Sequence, residues 1–542
     1  GLPVMGRSNH IPVPLPLRGL NTIDPFADWD SGYAREFTNY MLYNGRVSMR
    51  PSCLGGASNA SLSTTGVSWF DLSTANSTGY AILDDGKIRA LFDGSGAATI
   101  GGSPAYNATR CKHVSLDLVI GCREPRDAVN PFTAWTFTTL AITATSIKAA
   151  CSHKGRLYVA DDSTVEYSSV GAVTGTMAGS FPLSYFLDGQ KISRIFSVTV
   201  NPSISTENVL VIFGDGGKVL VYAGDNPIAS NWQLIGKFDM PIPISNVGFV
   251  EIDGDIWVST QKYAYWFRAL FSGGAQTAYA NSPTLPIENL WATIGVWSSN
   301  VSLPEVSHSF YEPYTDSIIT QTSSGLETIA NYQSEGYYLV YLRKYNAWAL
   351  WIMTPLFAPI IQDSSGAGVF GTSYAAALKY LATSPYADGS IEVVDRYGIP
   401  STSKIPIETS WKTPYFTSKG AVHKLNGVRV FWEQKNYLNT IAGYFYKLRT
   451  IFDYSDYNSK YGWYTQSTVT QSDPGNFNQS DANLTANTAS QYNTMIGAAG
   501  VGGAFSIQFS QKSSSAAQAI TEAQTHNIYA ATCLVEEGSE VF

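Results

Sequence analysis

Charged residues are scarce in this chain of 542 residues: Asp, Glu, Lys and Arg make up 14% of it, against about a quarter in an average soluble domain. The formal net charge is -8, and Lys and Arg nowhere form a run dense enough to neutralise a stretch of phosphates. The composition argues against tight nucleic-acid binding. A weakly acidic surface still suits a conduit past which DNA moves without being held.

Cysteine and long apolar runs are also lacking. The five cysteines are odd in number and show no CxxC spacing, which predicts buried, reduced thiols rather than a disulfide framework. The longest apolar run, at 346–361, is broken by proline and too short to span a bilayer. No charged segment followed by an apolar one stands at the N-terminus, so we expect neither a signal peptide nor membrane insertion.

Signatures of catalysis, cofactor binding and metal binding are missing as well. Cys111 with His113, and Cys151 with His153, could share one face of a strand, but two ligands do not make a zinc site. The segment 214–219 lacks the Ser or Thr of a phosphate-binding loop. The segment 453–458 has Tyr where a calcium loop needs oxygen ligands. We therefore predict no catalytic residue, no cofactor, no metal and no enzyme activity.

What the chain does have is a repeated hairpin pattern in its first half. Two apolar runs flank a glycine-centred turn, and the residues differ at each repeat. Such turns supply the positive φ that tight β-hairpins need. The four repeats lie at 81–92, 151–167, 209–222 and 247–267, with turns at Asp85-Gly86, Lys154-Gly155, Gly216-Gly217 and Asp253-Gly254.

The composition and these hairpins predict a mainly β fold, with a β-propeller of irregular blades and a second β-rich platform domain. Thirty-three Tyr, thirteen Trp and 47 Gly favour strands and turns. The turns are irregularly spaced, so no regular WD or kelch repeat is assigned. Residues 1–55, called the strap below, are predicted as an N-terminal arm that contributes to the platform. The propeller is predicted at 56–404 and the platform at 405–542.

Three local predictions complete the division of the chain. Residues 34–43 and 516–525 are predicted as short helices. The segment 465–493 has no Lys or Arg and is rich in Gln, Asn, Ser and Thr, which predicts a long polar loop.

Short motifs recur at both ends and in the middle of the chain. The strap carries a Gly-Leu-Asn start, a later Asn and a Gly...Arg-Pro close, and the other motifs surround a Trp and a Pro. These residues are Gly19, Leu20, Asn21, Asn39, Gly45, Arg50, Pro51, Trp348 and Pro414. Together they resemble the tail nozzle family (tail tubular protein B) of short-tailed bacteriophages and the related packaged-DNA stabilisation plug proteins, and they are called the family-like residues. The chain departs from the family at Leu342, where an Asp is usual, and in the 465–493 loop.

The resemblance implies a structural virion protein made in the host bacterial cytoplasm and located in a short tail. It implies a homohexamer whose channel retains the packaged genome and conducts double-stranded DNA during ejection. The implied partners are a tail adaptor ring on the portal side and tail fibres or other tail proteins. The polar loop at 465–493 is then expected to help close the channel or to contact neighbouring tail proteins.

Two other functions fit the same composition. A phage tail-spike or receptor-binding protein would also be β-rich and poor in charge, but trimeric. A glycan-active propeller enzyme would need paired carboxylates, and spacing alone identifies no such pair in this sequence.

Overall fold

The computed structural model describes residues 8–23, 32–50, 53–55, 67–73, 78–83, 88–90, 123–124, 133–134, 149–172, 176–200, 207–245, 248–294, 309–312, 315–321, 336–353, 357–362, 368–371, 379–381, 394–395, 405–406, 409–417, 423–436, 444–452, 489–513 and 524–537. Within them the chain is mainly β, with few helices. Residues 465–488 of the predicted polar loop, the segment 453–458 and the pair Cys111 and His113 lie outside these residues. The loop prediction is wrong at residues 489–493, which belong to a strand. The helix predicted at 516–525 also lies outside them, apart from residues 524–525, which are in a strand.

In its described residues, the strap is made of short strands and contains no helix. Its strands are β1 (Ser8–Val13), β2 (Glu36–Thr38), β3 (Tyr40–Tyr43), β4 (Arg46–Met49) and β5 (Cys53–Gly55). The helix predicted at 34–43 is wrong. Asn39, between β2 and β3, has φ of 56°, outside the helical range. On one side of it β2 pairs with strands of the propeller and the platform, and on the other side β3 pairs with β4.

Small antiparallel sheets follow one another along the chain and form the blades of a propeller. Blade 1 is β6 (Val67–Ser73), β7 (Thr78–Leu83) and β8 (Ile88–Ala90), and blade 2 is β9 (Arg123–Glu124) and β10 (Thr133–Ala134). Blade 3 is β11 (Ala149–His153), β12 (Arg156–Ala160), β13 (Thr164–Tyr167) and β14 (Gly179–Pro182). Blade 4 is β15 (Ile192–Val200), β16 (Glu207–Gly214), β17 (Lys218–Ala223) and β18 (Gln233–Asp239).

The later blades are modified by helices and by the strap. Blade 5 is β19 (Phe249–Ile252), β20 (Asp255–Ser259) and β21 (Ala264–Trp266), after which the chain forms α1 (Phe267–Ala280) and α2 (Glu288–Ile294). Blade 6 is β22 (Ser309–Glu312), β23 (Ser317–Gln321), β24 (Gly336–Leu342) and β25 (Ala347–Met353). Blade 7 is β26 (Phe357–Gln362), β27 (Gly368–Gly371) and β28 (Lys379–Leu381), to which the strap adds β5 as the outer strand.

Blades 3 to 7 contact one another in turn, and blade 7 contacts blade 1. The first strands of blades 3 and 4 lie against each other, as do those of blades 5 and 6, of 6 and 7, and of 7 and 1. A strand from before blade 1 completes blade 7, since Leu54 of β5 pairs with Tyr380 of β28. This pairing therefore joins the two ends of the propeller segment through hydrogen bonds.

The described strands of the four predicted hairpins pair as expected, and the Asp85-Gly86 turn of the first hairpin lies outside the described residues. The hairpins are β7–β8, β11–β12–β13, β16–β17 and β19–β20–β21. At two of their turns both central residues have positive φ: Lys154 and Gly155 at 47° and 75°, and Asp253 and Gly254 at 50° and 70°. This is the backbone that two-residue hairpins require.

The platform is built from long strands. After the short pair β29 (Val394–Asp395) and β30 (Ile405–Pro406) come β31 (Thr409–Lys412), β32 (Phe416–Thr417), β33 (His423–Asn436), β34 (Tyr444–Phe452), β35 (Ala489–Gly502), β36 (Ala504–Ser513) and β37 (Gln524–Glu537). One sheet has the order β3-β4-β37-β33-β35, with β1 also paired to β37. In the other, blade 6 continues through β2 into β31, β36 and β32. The strap therefore takes part in both platform sheets.

A shared hydrophobic core runs through the strap, blades 5 and 6 and the platform. Its largest members are six tryptophans, each less than 2% exposed: Trp257, Trp291, Trp348, Trp351, Trp411 and Trp432. Burying side chains of this size contributes several kcal/mol of hydrophobic free energy. Propeller and platform are therefore packed together and not joined by a free linker.

Candidate functional site

Most of the family-like residues that the structure describes lie where the strap crosses blade 6. Gly19 forms a parallel bridge with Trp348, and the backbone N–H of Leu20 donates to the carbonyl of Trp348 at 2.8 Å. Gly19 has φ of +72°, and a Cβ there would lie 2.5 Å from the backbone N and O of Trp348. Only glycine fits this contact without displacing the strap.

Trp348 anchors this crossing from the propeller side. Its indole N–H donates to the carbonyl of Pro283 at 2.6 Å. Its ring centroid lies 5.2 Å from that of Tyr341, 5.9 Å from Trp291 and 6.2 Å from Trp257. Such spacings are those of favourable aromatic pairs, so the strap rests on a rigid part of blades 5 and 6.

Asn39 and Arg50 form the second fastening. The Asn39 Oδ1 accepts from Arg50 Nε and from the backbone N–H of Ile352, both at 2.8 Å. Arg50 Nη2 donates to the Ile352 carbonyl at 2.9 Å, and the Asn39 N–H donates to the Leu350 carbonyl at 2.8 Å. Arg50 is 1% exposed. These bonds hold both ends of the β3–β4 hairpin to the end of β25.

The remaining family-like residues have simpler positions. Asn21 caps its own turn, because its Oδ1 accepts from the N–H of Ile23 at 3.0 Å. Gly45, with φ of 75°, occupies the β3–β4 turn, and its N–H donates to the Tyr345 hydroxyl at 3.1 Å. Pro414 lies in the platform, where its carbonyl accepts from Thr413 Oγ1 at 2.9 Å. Pro51 lies outside the described residues.

A third fastening joins the strap to the platform. Arg35 Nε donates to the carbonyl of Thr413 at 3.0 Å and Nη2 donates to Ser506 Oγ at 3.1 Å. The Arg35 guanidinium also lies 4.2 Å from the centre of the Tyr415 ring, a favourable cation–π distance.

Next to Arg35 is a buried ion pair. Glu36 and Lys412 face each other across β2 and β31, with 3.4 Å between Oε2 and Nζ and both side chains under 5% exposed. Sequence reasoning missed Arg35, Glu36 and Lys412. The available signal was the presence of charged residues within short β-forming segments, in a chain that has few charges.

The described residues hold no cluster suited to a metal ion, since no group of three or more His, Cys, Asp or Glu comes together there. Cys151 and His153 are both buried on β11. The His153 Nδ1 is 2.8 Å from Ser197 Oγ of blade 4, and burial lowers its pKa to about 4. His153 is thus a neutral packing residue between blades 3 and 4.

The glycine-rich segment at 214–219 forms the β16–β17 turn. Gly217 has φ of +98°, and Lys218 pairs with Asp188 at 2.7 Å and also with Asp239. The lysine is satisfied by carboxylates within its own blade and its preceding loop, so the turn is structural. In the described part of the chain, no helix has the length and hydrophobicity needed to cross a membrane.

Several solved structures are similar to this chain. The RRP9 WD40 repeats are 12% identical, with a TM-score of 0.37, over 62% of this chain and 100% of theirs. The U3-55K structure is 12% identical, with a TM-score of 0.35, over 61% of this chain and 98% of that one. BBS1N, solved in complex with ARL6DN, is 12% identical, with a TM-score of 0.36, over 62% of this chain and 99% of that one. No family model and no curated protein matches the chain.

The comparisons do not support the expected family. None of the three structures named above is a tail nozzle protein, and no family model matches the chain, so the assignment to the tail nozzle family of short-tailed bacteriophages was wrong. The structure shows why the short motifs misled. Gly19, Asn39 and Gly45 satisfy local needs for positive φ or close backbone approach, which recur in unrelated folds.

Proposed function

We propose that this chain is a non-enzymatic structural protein that acts as one subunit of a homo-oligomeric assembly. The observation that carries the proposal is the threefold fastening of the strap, at Gly19, at Asn39 with Arg50, and at Arg35 with Glu36. It ties propeller to platform through buried hydrogen bonds and an ion pair. Buried polar networks of this kind fix one relative position of two domains, as a building unit requires.

The internal polar groups support the same proposal. Three buried charged residues, Glu36, Arg50 and Lys218, form ion pairs or hydrogen bonds to backbone carbonyls. Catalytic sites usually bring several perturbed groups together in a cleft. His153 instead has its perturbed pKa inside a packed contact between blades.

The six-fold ring, the DNA-conducting channel, the virion location and the tail partners stay predictions. A net charge of -8 is compatible with a lumen that repels DNA.

The test is the mass of the assembled full-length chain. Native mass spectrometry and negative-stain imaging are expected to show one closed oligomer, with six copies as the specific prediction and three copies supporting the tail-spike alternative. Asn39→Ala, which breaks the second fastening, is expected to reduce assembly. Asn208→Ala, at an exposed position on β16, is the matched control. A chain that stays monomeric at all concentrations, or that turns over a polysaccharide, contradicts the proposal.

A further inference from the structure

Among the strands that the structure describes, one platform sheet ends in a long strand with an unpaired outer edge. β35 stands at the end of the order β3-β4-β37-β33-β35 and pairs with β33 from Gly502 to Ala489. Among the described strands none pairs with its other edge, although β34 comes near it. A strand of 14 residues is about 46 Å long. Its outer edge therefore presents a long row of backbone N–H and C=O groups.

This edge lacks the usual protection against pairing with another chain. The sequence of β35, ASQYNTMIGAAGVG, contains no Asp, Glu, Lys, Arg or Pro. Natural proteins commonly place charges or proline on free edges, because a bare edge recruits a further strand. The outer strand of blade 4 follows that rule, since β18 carries Lys237 and Asp239. The outer edge of β18 thus carries charged residues that oppose pairing with another chain, and the outer edge of β35 carries none.

The opposite end of the same sheet offers a second free edge. β1 pairs with β37 over Ser8 to Val13, and no other described strand pairs with it. Its sequence, SNHIPV, has no Asp, Glu, Lys or Arg, its one proline, Pro12, stands next to the end of the strand, and Asn9 and His10 are exposed. A sheet with an uncharged free edge at each end can pair with a second copy of the same sheet, so that the β35 edge of one copy meets the β1 edge of the other.

We infer that β35 of one copy pairs with β1 of the next copy, so that the platform sheets of neighbouring subunits form one continuous sheet. The inference rests on the proposed function and specifies its interface. Pairing between different edges repeats around a ring, whereas pairing of β35 with β35 would stop at a dimer with two-fold symmetry. The occupant of the β35 edge is thus a second copy of this chain.

The first test places charge on the edge. Asn493 and Met495 pair opposite Phe431 and Arg429, whose side chains are exposed. The double variant Asn493→Glu/Met495→Glu is expected to weaken assembly about tenfold or more, because two carboxylates on this edge would lose water against the uncharged β1 of the next copy. The matched control is Ile235→Glu on β18, which is expected to leave the oligomer unchanged. Native mass spectrometry over a concentration series gives the readout.

The second test identifies the partner strand without weakening the fold. Asn493→Cys and Asn9→Cys are made separately and together, and each protein is treated with a short bis-maleimide. The double variant is expected to give a ladder of covalent oligomers, while the single variants and the unsubstituted chain give monomer.

The outcomes separate the inference from the proposed function. A dimer band from Asn493→Cys alone would show two-fold pairing and overturn the inference. An oligomer that withstands the double glutamate variant, with no ladder from the double cysteine variant, would also overturn it and leave the structural role intact. A chain that is monomeric before any substitution removes both.

Discussion

The crossing of the strap over blade 6 makes a sharp prediction for Gly19→Ala. A Cβ at this position lies 2.5 Å from the backbone N and O of Trp348 and 2.9 Å from the Cβ of Ala347. The neighbours are backbone atoms and a short side chain, which cannot rotate away. The strap must therefore move outward by about 1 Å to restore normal contact.

The magnitude follows from what that movement breaks. The left-handed backbone costs about 1 kcal/mol for a residue with a Cβ. Outward movement also breaks the bonds from the Leu20 N–H to Trp348 and from the Ala34 N–H to Gly19, at about 1 kcal/mol each. We expect a total loss of about 3 kcal/mol. Gly45→Ala is the matched control: Gly45 has φ of +75° but nothing within 4 Å of its Cβ position, so only about 1 kcal/mol is expected there.

Two assays measure the difference between these variants. Urea unfolding gives the free energy of unfolding for each. Limited trypsin digestion after Arg18, an exposed residue next to the crossing, reports release of the strap. A difference of about 2 kcal/mol between the variants corresponds to roughly 30-fold faster cleavage of Gly19→Ala than of Gly45→Ala when opening is in fast equilibrium. Equal stabilities and equal cleavage rates would refute the assignment of Gly19 to a contact that requires glycine.

Three further predictions concern buried polar groups. Burial lowers the pKa of His153 from 6.5 to about 4, so the unfolded chain binds more protons than the folded chain between those pH values. About 3 kcal/mol of stability, fully present above pH 6.5, is therefore lost on acidification to pH 4. His153→Gln should flatten this pH dependence of the free energy of unfolding in urea titrations, and an unchanged dependence would contradict the prediction. Asn39→Ala should cost about 3 kcal/mol in urea unfolding, since two buried donors lose their acceptor, and a loss under 1 kcal/mol would refute its role. Glu36→Gln should lower the free energy of unfolding by about 3 to 5 kcal/mol, because Lys412 is left buried without its carboxylate. Adding Lys412→Met should restore most of that stability. Additive losses in the double-mutant cycle would count against the ion pair.

The hairpins of the propeller could be predicted because their determinants are local. At Lys154-Gly155 and Asp253-Gly254, turn residues with positive φ stand between two apolar runs, and both the strands and the turns follow from that pattern. The mainly β class followed from the abundance of aromatic residues and glycine.

The strap could not be predicted in the same way, because its strands are set by distant partners. The residues at 34–43 have no strong local signal, and Glu36 to Thr38 form a strand only by pairing with β31 and β25. The helix α1 was missed for a related reason: it contains Gly273 and Gly274, which are poor helix residues, and Gly274 kinks it with φ of 75°. In both places tertiary packing overrides local preference.

The contacts that fasten the strap could not be predicted from the sequence either. Gly19, Asn39 and Arg50 were singled out as a family signature, whereas the structure gives each a local physical role. Arg35, Glu36 and Lys412 were not singled out, because a charged residue in a short strand gives no indication of the partner it will meet several hundred residues away.

The continuity of β4 and β5 gives the strap a mechanical role. β4 belongs to the platform sheet and β5 closes blade 7, and only residues 50–52 separate them. Because Arg50 is held by Asn39 and the carbonyl of Ile352, tension applied to the platform reaches this buried clamp before it reaches β5. In a single-molecule pulling experiment, the hydrogen bonds of Arg50 would bear the applied force first, so that the platform unfolds before β5 separates from blade 7.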